Sequence, residues 1–147
     1  MRRIVAVFIA CVAGIGPTVG DRPVHSFTAP EALYLRVEVE EHGHTVAAPH
    51  LLGFEGRHVV VEKRSPGAEQ LDYRLDMVPR EEGAVYAVRF DVDLPSGHRA
   101  GRIALLHGEE RQMALDGSTR IKLLLMRVDS PEFRALVMRE RFRRAAI

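Results

Sequence analysis

The sequence predicts a mainly β fold: an antiparallel β-sandwich or small barrel of seven to eight strands, with one C-terminal α-helix. Five segments alternate apolar and polar residues with a period of two, as strands do when one face packs on a core and the other meets water. Turn residues separate these segments at short intervals. Helix signals occur only near the end, so no long helical crossover is present to connect parallel strands.

Strand predictions extend from residue 33 to residue 128 and fit one domain, residues 21–129. Segments 33–40, 71–77 and 86–94 alternate most clearly, 58–62 and 120–128 come next, and 45–52, 103–107 and 111–115 are weaker. Segment 120–128 starts with alternation and then becomes apolar on both faces, which predicts a central or doubly covered strand. Turns are predicted between the segments, for example at 41–44, 79–83 and 95–98.

A single helix is predicted over residues 130–147. Residues 129–132 supply an N-cap side chain, a proline in the first turn and an early carboxylate, which all favour a helix N-terminus. The helix is basic, and its arginines are Arg134, Arg139, Arg141, Arg143 and Arg144. On a helical wheel Phe133 and Phe142 fall on opposite sides, which predicts contacts on two faces of the helix.

The first 20 residues have the pattern of a secretory signal peptide. Arg2 and Arg3 precede an uncharged run, and small residues stand three and one positions before Asp21. Cleavage after Gly20 predicts an exported chain that begins at Asp21. A membrane anchor and a buried N-terminal element are the alternatives, but glycines and a proline interrupt the run before the roughly 20 apolar residues that span a bilayer.

Cys11 is the single cysteine of the chain. One cysteine excludes an internal disulfide and a four-cysteine zinc site. Residues 8–11 resemble a bacterial lipobox, in which the cysteine is lipidated and becomes the new N-terminus, although Phe8 stands where leucine is usual. The alternative is that Cys11 is only an apolar residue of the leader.

Charge is distributed unevenly along the chain. The formal net charge is +1, but the segment before the helix is acidic while the helix itself is basic. The balance is far from that of a nucleic-acid-binding protein, and no set of stacking aromatics accompanies the arginines. The helix arginines are therefore predicted to face water or to contact an envelope protein or an anionic membrane surface, and no nucleic acid is expected as a partner.

Enzymatic activity is not expected. No serine lies in a Gly-x-Ser-x-Gly or Ser-x-x-Lys pattern, and no glycine-rich phosphate loop is present. Four aspartates of the alternating strands occupy predicted water-facing positions beside arginines, which indicates surface charge pairs rather than catalytic carboxylates. These aspartates are Asp72, Asp76, Asp91 and Asp93.

Seven histidines raise the alternative of a metal-binding protein or a small hydrolase. His42 and His44 are two residues apart, and His50 could join them in three dimensions. Because His42 and His44 fall in a predicted turn and no further ligand stands at a diagnostic spacing, solvated turn histidines are the favoured interpretation. No metal or cofactor is predicted.

The middle of the chain carries a family resemblance. The segment 35–39, the turn, residues 46–51 and the alternating run 71–79 together resemble small β-rich periplasmic segments of proteobacteria. Similar segments are appended to membrane-embedded metallopeptidase regulators of the beta-lactam-sensor type, and a comparable pattern occurs in secretin domains. The metallopeptidase motif His-Glu-x-x-His is absent, so the resemblance implies an accessory envelope domain that binds a partner, without activity.

The sequence thus predicts a non-enzymatic exported protein that acts as a protein-interaction module in the periplasm. Its predicted partner-binding residues are the five arginines of the C-terminal helix. A lipoprotein anchored in the outer membrane through Cys11 is an alternative form of the same module.

Overall fold

Nine strands and one helix form residues 29–145, the part of the chain that the computed structural model describes. The elements are β1 (Ala32–Glu41), β2 (His44–Ala47), β3 (His50–Phe54), β4 (Val59–Lys63), β5 (Tyr73–Glu82), β6 (Val85–Leu94), β7 (Gly97–Leu105), β8 (Glu110–Ala114), β9 (Thr119–Arg127) and α1 (Pro131–Ala145).

Two antiparallel sheets face each other. Sheet A has the order β2-β1-β9-β8, and β3 pairs with the same edge of β1 as β2 does. Sheet B has the order β4-β5-β6-β7. The described strands close no barrel, so the predicted sandwich is confirmed and the barrel alternative is not. The face of each sheet that is turned away from the other sheet is called its outer face below.

The segment 45–52, predicted as one strand, is two strands, which is one reason the total exceeds eight. Ala48 and Pro49 interrupt it, and proline has no backbone N–H to continue a ladder. β2 pairs with the end of β1 at Val39–Glu41, and β3 pairs with its beginning at Ala32–Arg36. Both strands therefore lie along one edge of β1, one behind the other.

The turn predicted at 79–83 is wrong for all residues except Gly83, because β5 continues to Glu82 and the chain turns at Gly83, whose φ is +66°. Pro79 fits inside the strand because its backbone faces away from β6. Its carbonyl accepts a hydrogen bond from the N–H of Gly56 at 2.7 Å, beyond the end of β4. The missing N–H of Pro79 therefore costs no ladder hydrogen bond.

The core lies between the sheets and is built from the inward positions of the alternating strands. Four of these side chains are fully buried: Leu35 and Val37 of β1, Leu75 of β5 and Val88 of β6. The edges of the two sheets approach closely at Gly53, where an added Cβ would lie 2.2 Å from Cγ2 of Val59. β3 and β4 can therefore cross at this seam only because residue 53 has no side chain.

Strand β9 is central in sheet A, as its sequence predicted. Its residues Ile121, Leu123 and Leu125 point into the core, and Leu124 and Met126 point to the outer face. Both sets are buried. The outer face of sheet A must therefore be covered by another element, and that element is α1.

Candidate functional site on the outer face of sheet A

Helix α1 begins directly after β9. Ser130 is its N-cap: the Oγ accepts a hydrogen bond from the N–H of Phe133 at 3.1 Å and donates one to the carbonyl of Arg127 at 2.7 Å. Pro131 and Glu132 fill the first turn, and the carboxylate lies where the helix dipole favours it. The start of the helix is thereby tied to the end of a core strand.

One face of α1 packs on sheet A. Phe133 and Leu136 contact a small cluster formed by Tyr34, Leu124 and Met126. The rings of Phe133 and Tyr34 are 5.2 Å apart at an interplanar angle of 50°. Burial raises the pKa of Tyr34 above its ordinary value, and the nearby carboxylate of Glu140 raises it further. This face fixes the helix on the sandwich.

The opposite face of α1 is turned to solvent and carries an apolar stripe between arginines. Met138 is 51% exposed and Phe142 is 70% exposed, and the two lie about one turn apart. At 100° per residue, two arginines fall on each side of them. They are Arg134 and Arg141 on one side, and Arg139 and Arg143 on the other. We call these six residues the α1 stripe.

None of the salt bridges found within residues 29–145 uses an arginine of the α1 stripe. Five arginines of the sandwich do form such bridges, as in the Arg99–Asp116 bridge at 2.8 Å. The four arginines of the α1 stripe thus form a cationic surface without ion pairs to the described part of the sandwich, although the sandwich as a whole is acidic.

A groove of about 220 Å³ separates α1 from β3. Its walls include Tyr34, His50, Leu52, Phe133, Val137 and Glu140. The rings of Tyr34 and His50 meet edge to face at 5.9 Å. Leu52 in this wall is 69% exposed, and Phe54, two residues further along β3, is 51% exposed. The groove is therefore apolar on its floor and lies beside the outermost strand of the sheet.

The three candidate metal ligands are not brought together. His42 and Gly43 form the tip of the β1–β2 hairpin with φ of 52° and 79°, as a type I′ turn requires. His44 pairs with Glu41, whereas His50 pairs with Arg36, five positions along β1 and therefore about 17 Å away. Within residues 29–145 no three His, Cys, Asp or Glu side chains are placed to hold a metal ion.

On the outer face of sheet B, His58 contacts one carboxylate and His98 contacts two, those of Asp91 and Asp93. His58 lies 2.7 Å from Asp76, and Nδ1 of His98 lies 2.8 Å from Asp93. Asp76 and Asp91 face each other across β5 and β6. The aspartates therefore lie at water-facing positions, as the sequence predicted, but their ion-pair partners are histidines and not the predicted arginines.

Several predicted features lie outside the described residues. These are the leader 1–20 with Cys11, and the side chain of Arg144. The signal peptide, the lipidation of Cys11 and the role of Arg144 therefore stay predictions from the sequence. In the described range no helix is both long and apolar enough to cross a membrane.

Sequence reasoning missed the groove and the exposed apolar residues Leu52 and Phe54. A local signal existed, because the segment 50–54 carries apolar residues at both parities, Leu51 inward and its neighbours outward. What the sequence does not show is that α1 lies beside this strand. That proximity depends on long-range pairing of β3 with β1.

No family model, curated protein or solved structure matches the chain. The resemblance to periplasmic accessory domains therefore rests on the sequence pattern alone.

Proposed function

We propose that the protein is a non-enzymatic interaction module of the periplasm that binds an acidic protein partner through the α1 stripe. The observation that supports this most directly is the pair of exposed apolar side chains, Met138 and Phe142, flanked on both sides by arginines. Apolar anchors beside arginines are the residue types enriched in protein interfaces.

The charge of the partner is inferred from the arginines. Several arginines of the sandwich pair with its own carboxylates, for example Arg99 with Asp116 and Arg36 with Glu110 at 2.5 Å. The arginines of the α1 stripe have no such role. An acidic surface on a partner would complement their positive charge, and the two proteins would associate faster at low salt.

A protein fits this surface better than a membrane does. A helix that lies in a lipid interface buries its larger apolar face in the bilayer. In α1 the larger apolar face, which includes Phe133 and Leu136, is already packed on sheet A. The stripe that remains offers only two large apolar side chains, which matches a small anchor pocket on a protein.

Site-specific photocrosslinking in the native host tests the proposal. A photoreactive amino acid replaces Met138 in the full-length chain, and adducts are identified by mass spectrometry. We expect one protein adduct, whose yield falls at least roughly tenfold when Arg139 and Arg143 are both changed to Glu, because each rim charge contributes to association.

The same photoreactive residue at Arg89, on the exposed outer face of sheet B, is the matched control and should give no such adduct. Equal adducts at both positions would contradict the proposal. So would co-sedimentation of the purified protein with phosphatidylglycerol vesicles that is lost in the Arg139→Glu/Arg143→Glu variant, together with no protein adduct, since the surface would then bind lipid.

The export part of the proposal has its own test. Intact mass analysis of the protein from the periplasmic fraction should give a chain that begins at Asp21. A chain that begins with a lipid-modified Cys11 would assign the lipoprotein form, and a chain that retains Met1 would contradict cleavage.

A further inference from the structure

The edge strands of the sandwich are not equally protected. On one open side lie β7 and β8, where Arg111 of β8 pairs with Leu123 and so occupies an inward register position. Its guanidinium donates to the carbonyl of Ala104 in β7 at 2.7 Å. An inward charge on an edge strand, bonded to the neighbouring edge, blocks the addition of a further strand.

On the other open side lies β3, which has none of these devices. It contains no charged residue and no proline, and its register with β1 has no bulge. Among the described residues β3 pairs only with β1. Its outward side chains Leu52 and Phe54 are exposed apolar groups. An apolar edge without charge, proline or bulge is a template for pairing with another strand.

The register shows which backbone groups face outward. The N–H of Val37 donates to the carbonyl of Pro49 at 3.1 Å, and the N–H of Glu55 donates to the carbonyl of Glu31 at 2.9 Å. Hydrogen bonding alternates along an antiparallel ladder, so residues 51 and 53 bond toward β1. The backbone groups of His50, Leu52 and Phe54 therefore point away from the sheet.

From this geometry we infer that β3 pairs antiparallel with β3 of a second copy of the chain, across a twofold axis at Leu52. In this register Leu52 bonds to Leu52 of the partner subunit, and His50 bonds to Phe54 of the partner subunit. β3 has five residues, and the N–H and C=O of its central residue, Leu52, point outward. When two such edges are related by a twofold axis, each outward N–H of one copy lies opposite an outward C=O of the other. The Phe54 carbonyl, which already accepts from Arg57 at 3.1 Å, keeps a second lone pair for this bond.

The groove beside β3 supplies a seat for the partner's aromatic side chain. Since Phe54 of the partner subunit would lie opposite His50, its ring would point to the same outer face as His50 and Tyr34. These two rings form the wall of the groove, and the groove of about 220 Å³ has room for one such ring. Each copy would thus offer one groove and one phenylalanine.

No carboxylate, ammonium or guanidinium group of β3 opposes this pairing, because the strand contains no Asp, Glu, Lys or Arg. The surface is nevertheless small: five residues of β3 and the groove beside them cover less than the ~800 Å² per partner of a standard interface. We therefore expect a dissociation constant in the micromolar range, which is typical of weak interfaces of this size. The two α1 stripes of the dimer would face the same direction.

The test measures the mass of the protein in solution. The chain is expressed at full length, purified after export and examined by sedimentation equilibrium from low to high micromolar concentration. We expect a reversible monomer–dimer equilibrium. Leu52→Lys should weaken dimerisation by roughly a hundredfold, because it sets two like charges directly opposite each other. Leu52→Glu should do the same.

Mixing the two variants separates pairing at position 52 from a general loss of structure. An equimolar mixture of Leu52→Lys and Leu52→Glu should dimerise again, since the opposed charges then attract. Leu106→Lys, at a position of similar exposure beside the protected β7–β8 side, is the matched control and should leave the dimer unchanged. Leu52→Pro should fold and stay monomeric, because that N–H makes no bond within the sheet.

A protein that stays monomeric throughout this range overturns the inference. So does a dimer that Leu106→Lys disrupts and Leu52→Lys does not. A dimer that forms only after residues 21–28 are deleted would mean that these residues block the edge of β3 in the full chain, and this result also overturns the inference. None of these outcomes affects crosslinking at Met138, so the proposed function and this dimer can fail separately.

Discussion

The two sheets of the sandwich cover their outer faces in different ways. Sheet A buries Leu124 and Met126 under a separate element, α1. Sheet B buries Val78 and Ala87 among the side chains of its own arginines, which line a shallow pocket above them. Arginine stems cover apolar surface while their charged ends stay in water. These arginines are Arg80, Arg89 and Arg102.

This difference has a consequence for binding. A helix has two faces, so the element that covers sheet A still presents a second surface, the α1 stripe. Side chains that cover sheet B present only their solvated ends. We therefore propose that the outer face of sheet A serves both stability and partner binding, and substitutions on the two faces of α1 can separate these contributions.

Removal of the helix should have the largest effect. A chain that ends at Ser130 leaves Tyr34, Leu124 and Met126 uncovered, and burial of two or three such side chains is worth about 3 kcal/mol or more. We expect a folded sandwich with a clearly lower free energy of unfolding in urea, and binding of a hydrophobic dye. An unchanged free energy of unfolding would show that α1 adds nothing to the stability of sheet A.

Substitutions of two phenylalanines on one helix should divide stability from binding. Phe133→Ala removes the contact with Tyr34 and should lower the free energy of unfolding by about 2 kcal/mol. Phe142→Ala, on the exposed face, should change it by less than about 0.5 kcal/mol and should instead reduce the crosslink at residue 138. Equal losses of stability would contradict the two-faced description of α1.

The strands and the two faces of α1 could be predicted from the sequence, whereas the groove beside β3 could not. A period of two in apolar residues indicates a strand with one buried face, so the strands could be predicted. In segment 120–128 the loss of this alternation indicated that both faces of β9 are buried. The opposite positions of Phe133 and Phe142 followed from the helical wheel. Long-range pairing is not a local property, and therefore the place of β3 beside α1, and with it the groove, could not be predicted.

Alkaline pH should lower the free energy of unfolding through Tyr34, which lies between sheet A and α1. The pKa of Tyr34 is raised by burial under α1. A raised tyrosine pKa means that the neutral form is favoured in the folded state, so its stabilisation is complete below pH ~10 and is lost as pH rises above that value. Urea unfolding measured from pH 8 to pH 12 should show this decline.

Tyr86 contributes in the same range and must be separated from Tyr34. Burial and its hydrogen bond to Glu31 raise the pKa of Tyr86 to about 12. The comparison is therefore made in a Tyr86→Phe background, where the further change Tyr34→Phe should flatten the remaining decline. If the slope is the same with and without Tyr34, ionisation under the helix is not its cause.

The smallest effect is expected on the outer face of sheet B. Asp91 lies 3.4 Å from Nε2 of His98, and both side chains are about half exposed. It also faces Asp76, a like charge. An exposed ion pair such as Asp91–His98 contributes about 0–1 kcal/mol to stability. Asp91→Asn removes this pair but also removes the repulsion between Asp91 and Asp76. The free energy of unfolding should therefore change by less than about 0.5 kcal/mol. Urea unfolding at pH 6 measures this change. A loss comparable to that of Phe133→Ala would mean that charge pairs stabilise sheet B as strongly as α1 stabilises sheet A, and the contrast between the two faces would then be wrong.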